Sequence, residues 1–214
     1  MTTATIVQAI KEEIIFGKLR PRGRLVEEEI CSRMGVSRHS LRSAIISLES
    51  MGLIVRRQNK GAIVRDFSLN ELNEIYQARS LIQIEAIKNI KLPVESVVLN
   101  KLKKIHQDFI ESSDAGDLGK VCALNNDFHF AIFNECKNSY LLLLLERIWT
   151  ETLGVRCYSI GDTKCRDQTI LDHEDILNAL EQGDREKLQE IVESSIWLSL
   201  EHYSSINQLR TLSA

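Results

Sequence analysis

Apolar residues recur at helical spacing from the start of the chain. Ile6, Ala9, Ile10 and Ile14 fall on one face and the pattern stops at Gly17, which predicts an amphipathic helix with a glycine terminator. Arg20-Pro21-Arg22-Gly23 puts proline second and glycine fourth, the preference of a type I turn. It leads into a short helix from about Glu27 to Met34 that Gly35 breaks. Ser37 is placed to cap a third helix running to about Met51, with Gly52 closing it. Along that helix Leu41, Ala44, Ile45 and Leu48 make one apolar stripe, while Arg38 and Arg42, four apart, share a polar face. Leu53 to Arg57 and Ala62 to Val64 then read as two short strands, joined through Gln58-Asn59-Lys60-Gly61. Helix, tight turn, helix and basic-tipped hairpin are the parts of a winged helix-turn-helix.

From Ser68 onward the strand signal is gone. Ser68 and Glu71 have the spacing of a capping box for a long helix ending near Ile90, before Pro93. Further helices are expected at about 95 to 112, 117 to 135, 138 to 159, 167 to 182 and 184 to 208, with polar or glycine breaks such as Asp114-Ala115-Gly116-Asp117 and Gly183-Asp184 between them. The fold class expected is mainly α: a winged helix-turn-helix over 1–66, then an all-helical antiparallel bundle over 67–214. A length of 214 residues suits two domains.

Composition adds little until it is divided along the chain. Hydrophobic residues at 43% and charged residues at 27% are ordinary for a globular protein. The net charge of −3 conceals an asymmetry: residues 1–66 hold 12 Lys and Arg against 7 Asp and Glu, and residues 67–214 hold 15 against 23. Between Arg33 and Arg65 lie seven basic residues with Glu49 alone opposing them, the footprint expected where a protein meets phosphates. The 5 cysteines are an odd number without CxxC spacing, which argues against a disulfide framework or a thiolate zinc site. No basic-then-apolar leader is present and the Leu141–Leu145 run is too short to cross a bilayer, so a cytoplasmic protein with no membrane partner is expected.

The basic segment carries the chemistry of DNA recognition. Arginine on a helix in the major groove can bond guanine O6 and N7 bidentately, while hydroxyls and amides fix phosphates. Ser37, Arg38, Ser40 and Arg42 supply those groups within two turns, at a helix amino terminus that itself favours phosphate. Arg56, Arg57 and Lys60 extend the footprint onto the hairpin, where Gly61 permits close backbone approach. The plainer reading is a solvated helix face and hairpin in some other small domain; it leaves the agreement of turn, stripe, hairpin and charge asymmetry without a cause.

The stretch Ile14 to Val64 resembles the GntR superfamily of bacterial regulators. The likeness rests on Gly17-Lys18-Leu19-Arg20-Pro21, Leu25, Glu27, the run Val36-Ser37-Arg38-His39-Ser40-Leu41-Arg42-Ser43-Ala44-Ile45, Leu48, Gly52-Leu53 and Gly61. Two departures stand out: Pro21-Arg22-Gly23 where the family has Pro-Gly, which changes the turn type, and His39 where threonine is frequent. The resemblance implies a homodimer on a near-palindromic double-stranded DNA operator, most often as a repressor.

Residues 68–210 are similar to the FCD-type ligand domain of the FadR subfamily, through Arg79, Asn125-Asn126-Asp127-Phe128-His129, Asn138, and His173 ten residues before Gly183-Asp184. That likeness implies a pocket holding a divalent metal (Zn, Ni or Mn) with an organic acid effector beside it. The ligand positions fall on Asn125, His129, His173 and Ser195. Helical geometry agrees, since Asn125 and His129 are four apart, and His173 and Ser195 are each about eleven residues from the Gly183-Asp184 turn, level across an antiparallel hairpin. Serine is a poor ligand beside imidazole, so waters or the effector would have to complete the shell. His202 is no substitute, since seven residues from Ser195 is about 10 Å along the axis. Arg79 and Arg156 are candidates to grip an effector carboxylate, or are structural ion pairs of the bundle. Asp127 is turned about 100° per residue away from the neighbours of His129, which places it at the surface or behind the ligand positions.

Three functions follow from these features. A ligand-responsive regulator uses all of them, with a small carboxylate as effector. A constitutive DNA-binding protein with a non-functional pocket accommodates Ser195. A helical metalloenzyme using His129 and His173 has no Gly-rich phosphate loop, nucleophile elbow or HExxH to support it, so no catalytic residue is assigned.

Overall fold

A computed structural model describes the chain apart from residues 16, 58–60 and 212–214, and apart from the side chains of 15, 158 and 206–211. The chain divides into two compact units, Met1–Ser68 with Thr150–Gly154, and Leu69–Trp149 with Val155–Ala214.

In the first unit α1 (Thr3–Ile15) and α2 (Glu27–Met34) both pack against α3 (Arg38–Ser50). The stripe Leu41, Ala44, Ile45 and Leu48 is buried as its spacing requires, against Ile6, Ile10, Ile14 and Ile30. Truncating the fully buried Leu48 to alanine would remove roughly 2–5 kcal/mol. Gly35 ends α2 in the left-handed conformation, φ 64°, and the Ser37 hydroxyl accepts the Ser40 amide at 3.1 Å to open α3.

Strands β1 (Ile54–Arg57) and β2 (Gly61–Val64) pair antiparallel with Ile54 opposite Val64 and Arg57 opposite Gly61. The segment after the Arg20–Gly23 turn adds a third edge: Leu25 donates to the Ala62 carbonyl at 2.9 Å, Arg22 to that of Val64 at 3.0 Å, and Val64 to that of Gly23 at 2.9 Å. The turn itself is not type I. Gly23 donates back to Arg20 at 2.8 Å, but Arg22, its third residue, has φ 64°. With proline fixing the second position, a positive φ at the third makes the turn type II, a place glycine normally fills. Glycine stands one position later because a Cβ there would lie 2.7 Å from the Arg20 carbonyl oxygen.

The second unit is a bundle of α4 (Leu69–Lys88), α5 (Ser96–Asp114), α6 (Leu118–Phe133), a 3-10 turn (Asn134–Cys136), α7 (Ser139–Glu151), α8 (Leu153–Gly161), α9 (Thr163–Gln182) and α10 (Arg185–Thr211). α10 packs on α4 and α9, and α5 on α6 and α9. Tyr76, Phe109, Phe128 and Phe133 fill the core. Side-chain caps start the helices: Asp117 accepts from Lys120, Asn138 from Tyr140 and Leu141, Asp162 from Cys165 and Asp184 from Lys187. The single helix expected over 138 to 159 is two, broken at Thr152. At that break Arg156 Nη2 donates to the Trp149 carbonyl at 2.9 Å, an acceptor that an unbroken helix would give to the Leu153 amide.

Candidate functional site

In the first unit, the N-terminal turn of α3 presents its polar residues outward. Ser37, Arg38, His39 and Arg42 are exposed and Ser40 is half-buried. The Ser37 and Ser40 hydroxyls are bonded to each other at 2.9 Å. The Ser40 amide is taken by the cap, and the amides of Arg38 and His39 have no carbonyl one turn back within the helix, so they are available to an anion. Arg38 has no ion-pair partner among the described residues.

The other guanidiniums are less free than the charge pattern implies. Arg42 Nε donates to Glu27 Oε2 at 3.0 Å across the turn from α2, and Arg56 Nε lies 3.3 Å from Glu49 Oε2. Arg33 is held by both oxygens of Glu13, with Nη2 to Oε2 at 2.9 Å, and that bond raises its pKa further. Counting charges along the segment overlooked Glu13 and Glu27, which the fold returns to it. Arg57 is exposed at the end of β1, and Gly61 begins β2 with φ 73° and open space where a Cβ would stand. Lys60 lies outside the described residues.

In the second unit one cavity of about 60 Å³ is lined by Arg79, Asn125, His129, Arg156, His173 and Ser195. One water needs about 10–15 Å³ by the same measure, so the cavity holds a few waters or a small organic acid rather than a bulky effector. Five helices supply these six side chains: Arg79 from α4, Asn125 and His129 from α6, Arg156 from α8, His173 from α9 and Ser195 from α10. Ser159, Thr169, Asp172 and Ser199 complete much of the wall. Sequence reasoning passed over these four, yet helical spacing announces three of them: Ser159 is three from Arg156, Thr169 four from His173, and Ser199 four from Ser195. It also passed over Asn126, whose Oδ1 accepts from Arg156 Nη1 at 2.6 Å and from Trp149 Nε1 at 2.8 Å, fixing the guanidinium.

The electrostatics of the pocket are those of a buried cationic site. Arg79 is 5% exposed and Arg156 4%. Among the described residues neither makes a salt bridge to a carboxylate. Arg79 Nε and Nη1 and Arg156 Nε have no hydrogen-bond partner. Both cations lean on the Trp149 ring, at 4.7 Å and 4.1 Å from its centroid. Burial lowers the pKa of Arg79, and burial together with the Arg79 charge brings Arg156 down to about 9. His129 falls to about 3 through burial and then through the two arginines, and burial takes His173 well below the imidazole range. Both rings are therefore neutral at physiological pH and their lone pairs are on offer.

Asn125, His129 and His173 are the donors that a divalent metal would meet in this cavity. The Asn125 side chain is buried, His129 Nδ1 and both nitrogens of His173 lack partners, and the two rings stand 5.5 Å apart at 75°. A bound imidazole puts its ring centre roughly 3 Å from the ion, so a separation of 5.5 Å is compatible with one shared ion. Ser195 Oγ donates to the Val192 carbonyl at 3.0 Å, which serves the helix and not the pocket. His129, His173 and Asn125 thus fit a metal as a neutral, incomplete set whose charge would have to be balanced by an anion. Asp127 is exposed, as its helical angle predicts.

The model for bacterial regulatory proteins of the gntR family matches residues 2–64, and the FCD domain model matches residues 74–196. Among curated proteins the chain is 22% identical to the HTH-type transcriptional regulator McbR of Escherichia coli K12 over 212 residues, covering 94% of each. It is 26% identical to a probable D-xylose utilization operon transcriptional repressor of Paenarthrobacter nicotinovorans over 195 residues, covering 87% of this chain and 83% of that one. Its fold matches the crystal structure of a GntR transcriptional regulator from Rhodococcus sp. RHA1, with a TM-score of 0.71 at 21% identity, covering 95% of this chain and 97% of the other. It also matches E. coli McbR/YncC, with a TM-score of 0.70 at 18% identity over 96% and 98%. No helix among the described residues is long and apolar enough to cross a membrane. An N-terminal winged helix-turn-helix and an FCD domain in one chain make this protein a transcriptional regulator of the GntR family, in its FCD-bearing branch.

Proposed function

We propose that the protein is a cytoplasmic, homodimeric repressor whose operator affinity is set by a small carboxylate bound between Arg79 and Arg156. The observation that carries this reading is the pair of buried guanidiniums with open N–H groups and, among the described residues, no salt bridge to a carboxylate, although Asp172 lines the same cavity. A carboxylate answers both needs, because a guanidinium matches it bidentately and the resulting bonds are charge-assisted. Asn126 and Trp149 hold Arg156 in place for that contact. Asn125, His129 and His173 would hold a divalent metal (Zn, Ni or Mn), which when bound supplies a positive centre for the same carboxylate.

On the DNA side, Arg38 reads base edges, the first-turn amides with Ser37 and Ser40 meet phosphate, and Arg57, Lys60 and Gly61 bring the wing to the backbone. Arg42 and Arg56 join after leaving Glu27 and Glu49. A dimer of such units reads two half-sites spaced by the helical repeat. Effector binding shifts the population of arrangements that fit the operator.

The test is a thermal-denaturation series on metal-stripped and Zn²⁺-loaded protein with mono- and dicarboxylates of two to six carbons, followed by gel shift on the chain's own upstream DNA. A stabilising acid must also change the gel shift. Operator binding that no acid alters, with no acid raising the melting temperature, leaves the constitutive regulator as the correct reading.

A further inference from the structure

Asp162, Cys165 and His202 stand outside the ligand set just described. Their candidate ligand atoms, a carboxylate oxygen, a thiol sulfur and a ring nitrogen, all lie within 4.8 Å of one another in a half-buried setting. We infer that these three residues form a second metal site, selective for Zn²⁺ and chemically similar ions, distinct from Asn125, His129 and His173 and independent of the carboxylate reading.

The donors are those that zinc prefers: one thiolate, one imidazole and one carboxylate, with a water for the fourth tetrahedral position. Their charges sum to balance a dication, whereas the other set has no anion and stands beside two arginines. Ligand atoms around tetrahedral zinc sit roughly 3.3–3.7 Å apart, so side-chain movements of about 1 Å close the shell. The scaffold for this is already fixed. Asp162 caps α9 by accepting the Cys165 amide at 3.1 Å through Oδ1, which leaves its other oxygen for a ligand bond and places Cys165 three residues on, on the same side. Arg166 ties the corner down by donating to the Ile160 and Gly161 carbonyls, both at 3.0 Å. His202 comes from α10, on the stripe that passes through Ser195 and Ser199.

A second observation points to a ligand. His202 Nε2 is buried and has no hydrogen-bond partner, a condition that calls for a missing group. A metal ion supplies it. The ion would also join the α8–α9 corner to α10. Because Cys165 lines the effector cavity as well, metal occupancy would set the position of one of that cavity's walls.

Cobalt substitution decides the matter, since only the proposed site among the two contains sulfur. The full chain, stripped with chelator and kept reduced, is titrated with Co²⁺ and read for the near-ultraviolet thiolate-to-cobalt band and the visible tetrahedral bands. The expected result is a saturable sulfur band that Zn²⁺ displaces. Cys165→Ser should abolish it, His202→Gln should weaken cobalt uptake at least about tenfold, and His129→Gln with His173→Gln should leave it intact. Circular dichroism confirms folding, and if Cys165→Ser does not fold, His202→Gln carries the test. Absence of the band in folded wild-type protein, or its survival in folded Cys165→Ser, overturns the inference. Undiminished carboxylate binding in an Arg79 variant that keeps the band would count against the effector reading alone.

Discussion

Replacing Arg79 with methionine should make the ligand-free protein more stable while removing its response to the effector. Arg79 is 5% exposed, and two of its guanidinium nitrogens bond to nothing. A buried polar group left unsatisfied costs about 1–3 kcal/mol, more when charged. The contacts with Trp149 at 4.7 Å and Tyr76 at 5.2 Å return about 0.5–2 kcal/mol. Methionine keeps the buried aliphatic stem and its own contact with the aromatic rings, so the net change should be a gain of about 1–2 kcal/mol, or about 2–6 °C in the melting of the helical unit. Calorimetry in a buffer free of carboxylate and phosphate measures it. With a binding acid at one hundred times its Kd, the wild type gains about 2.7 kcal/mol and the order of melting reverses, because the variant gains nothing. If ligand-free Arg79→Met melts below wild type by the loss typical of a damaged core, the guanidinium is satisfied in the ligand-free state and the reasoning behind the effector site fails.

Arg38→Ala should weaken operator binding by about 1–3 kcal/mol and relax base preference at one position, whereas Arg57→Ala should weaken all sequences alike and lower the salt slope by about 1. Fluorescence anisotropy over a salt series separates the two, and equal sequence-independent losses would show that Arg38 is a phosphate contact. Arg22→Gly should stabilise the N-terminal unit by about 0.5–1 kcal/mol, since φ 64° strains any residue with a Cβ and the arginine end of the Arg22–Asp66 pair it loses is exposed. Gly23→Ala should do the reverse, and urea midpoints read both. Finally, the lowered pKa values of His129, His173 and His106 make stability depend on pH. These rings stay neutral when folded and gain a proton when unfolded below about pH 6.5, so the unfolded state binds more protons there. Their contribution is complete above pH 6.5 and is lost as the pH falls toward the folded value, about 3 for His129, by at most about 1.4 kcal/mol per group per pH unit. Urea midpoints that stay constant from pH 7.5 to 5 would contradict this.

The N-terminal unit was legible because local rules decide it. The stripe of α3, the Ser37 cap and the left-handed Gly35 need no information from elsewhere in the chain. The turn at Arg20–Gly23 was misread because its type depends on bonding to β2, which pulls Arg22 into the left-handed region. The free charge of the reading face was overcounted for the same reason, since Glu27 and Glu13 reach it only through the fold. In the bundle, helical arithmetic brought His173 and Ser195 to one cavity with Asn125 and His129. It missed the break at Thr152, because leucine-rich periodicity runs across it and the compensating donor, Arg156, lies four residues further on. The Asp162–Cys165–His202 cluster was invisible because its third member is thirty-seven residues away and cysteine spacing alone gave no pattern.

Under the DNA contacts proposed above, the two pairs Arg42–Glu27 and Arg56–Glu49 would bear on how the regulator searches a genome. A cation already neutralised by its own chain has less to gain from arbitrary DNA, since each new phosphate contact must first displace a carboxylate. With those contacts, loose encounters would be shortened, and only a sequence that also satisfies Arg38 would hold the protein long enough for the exchange. Tethered acids of this kind trade residence on random sequence for contrast between the right site and the many wrong ones.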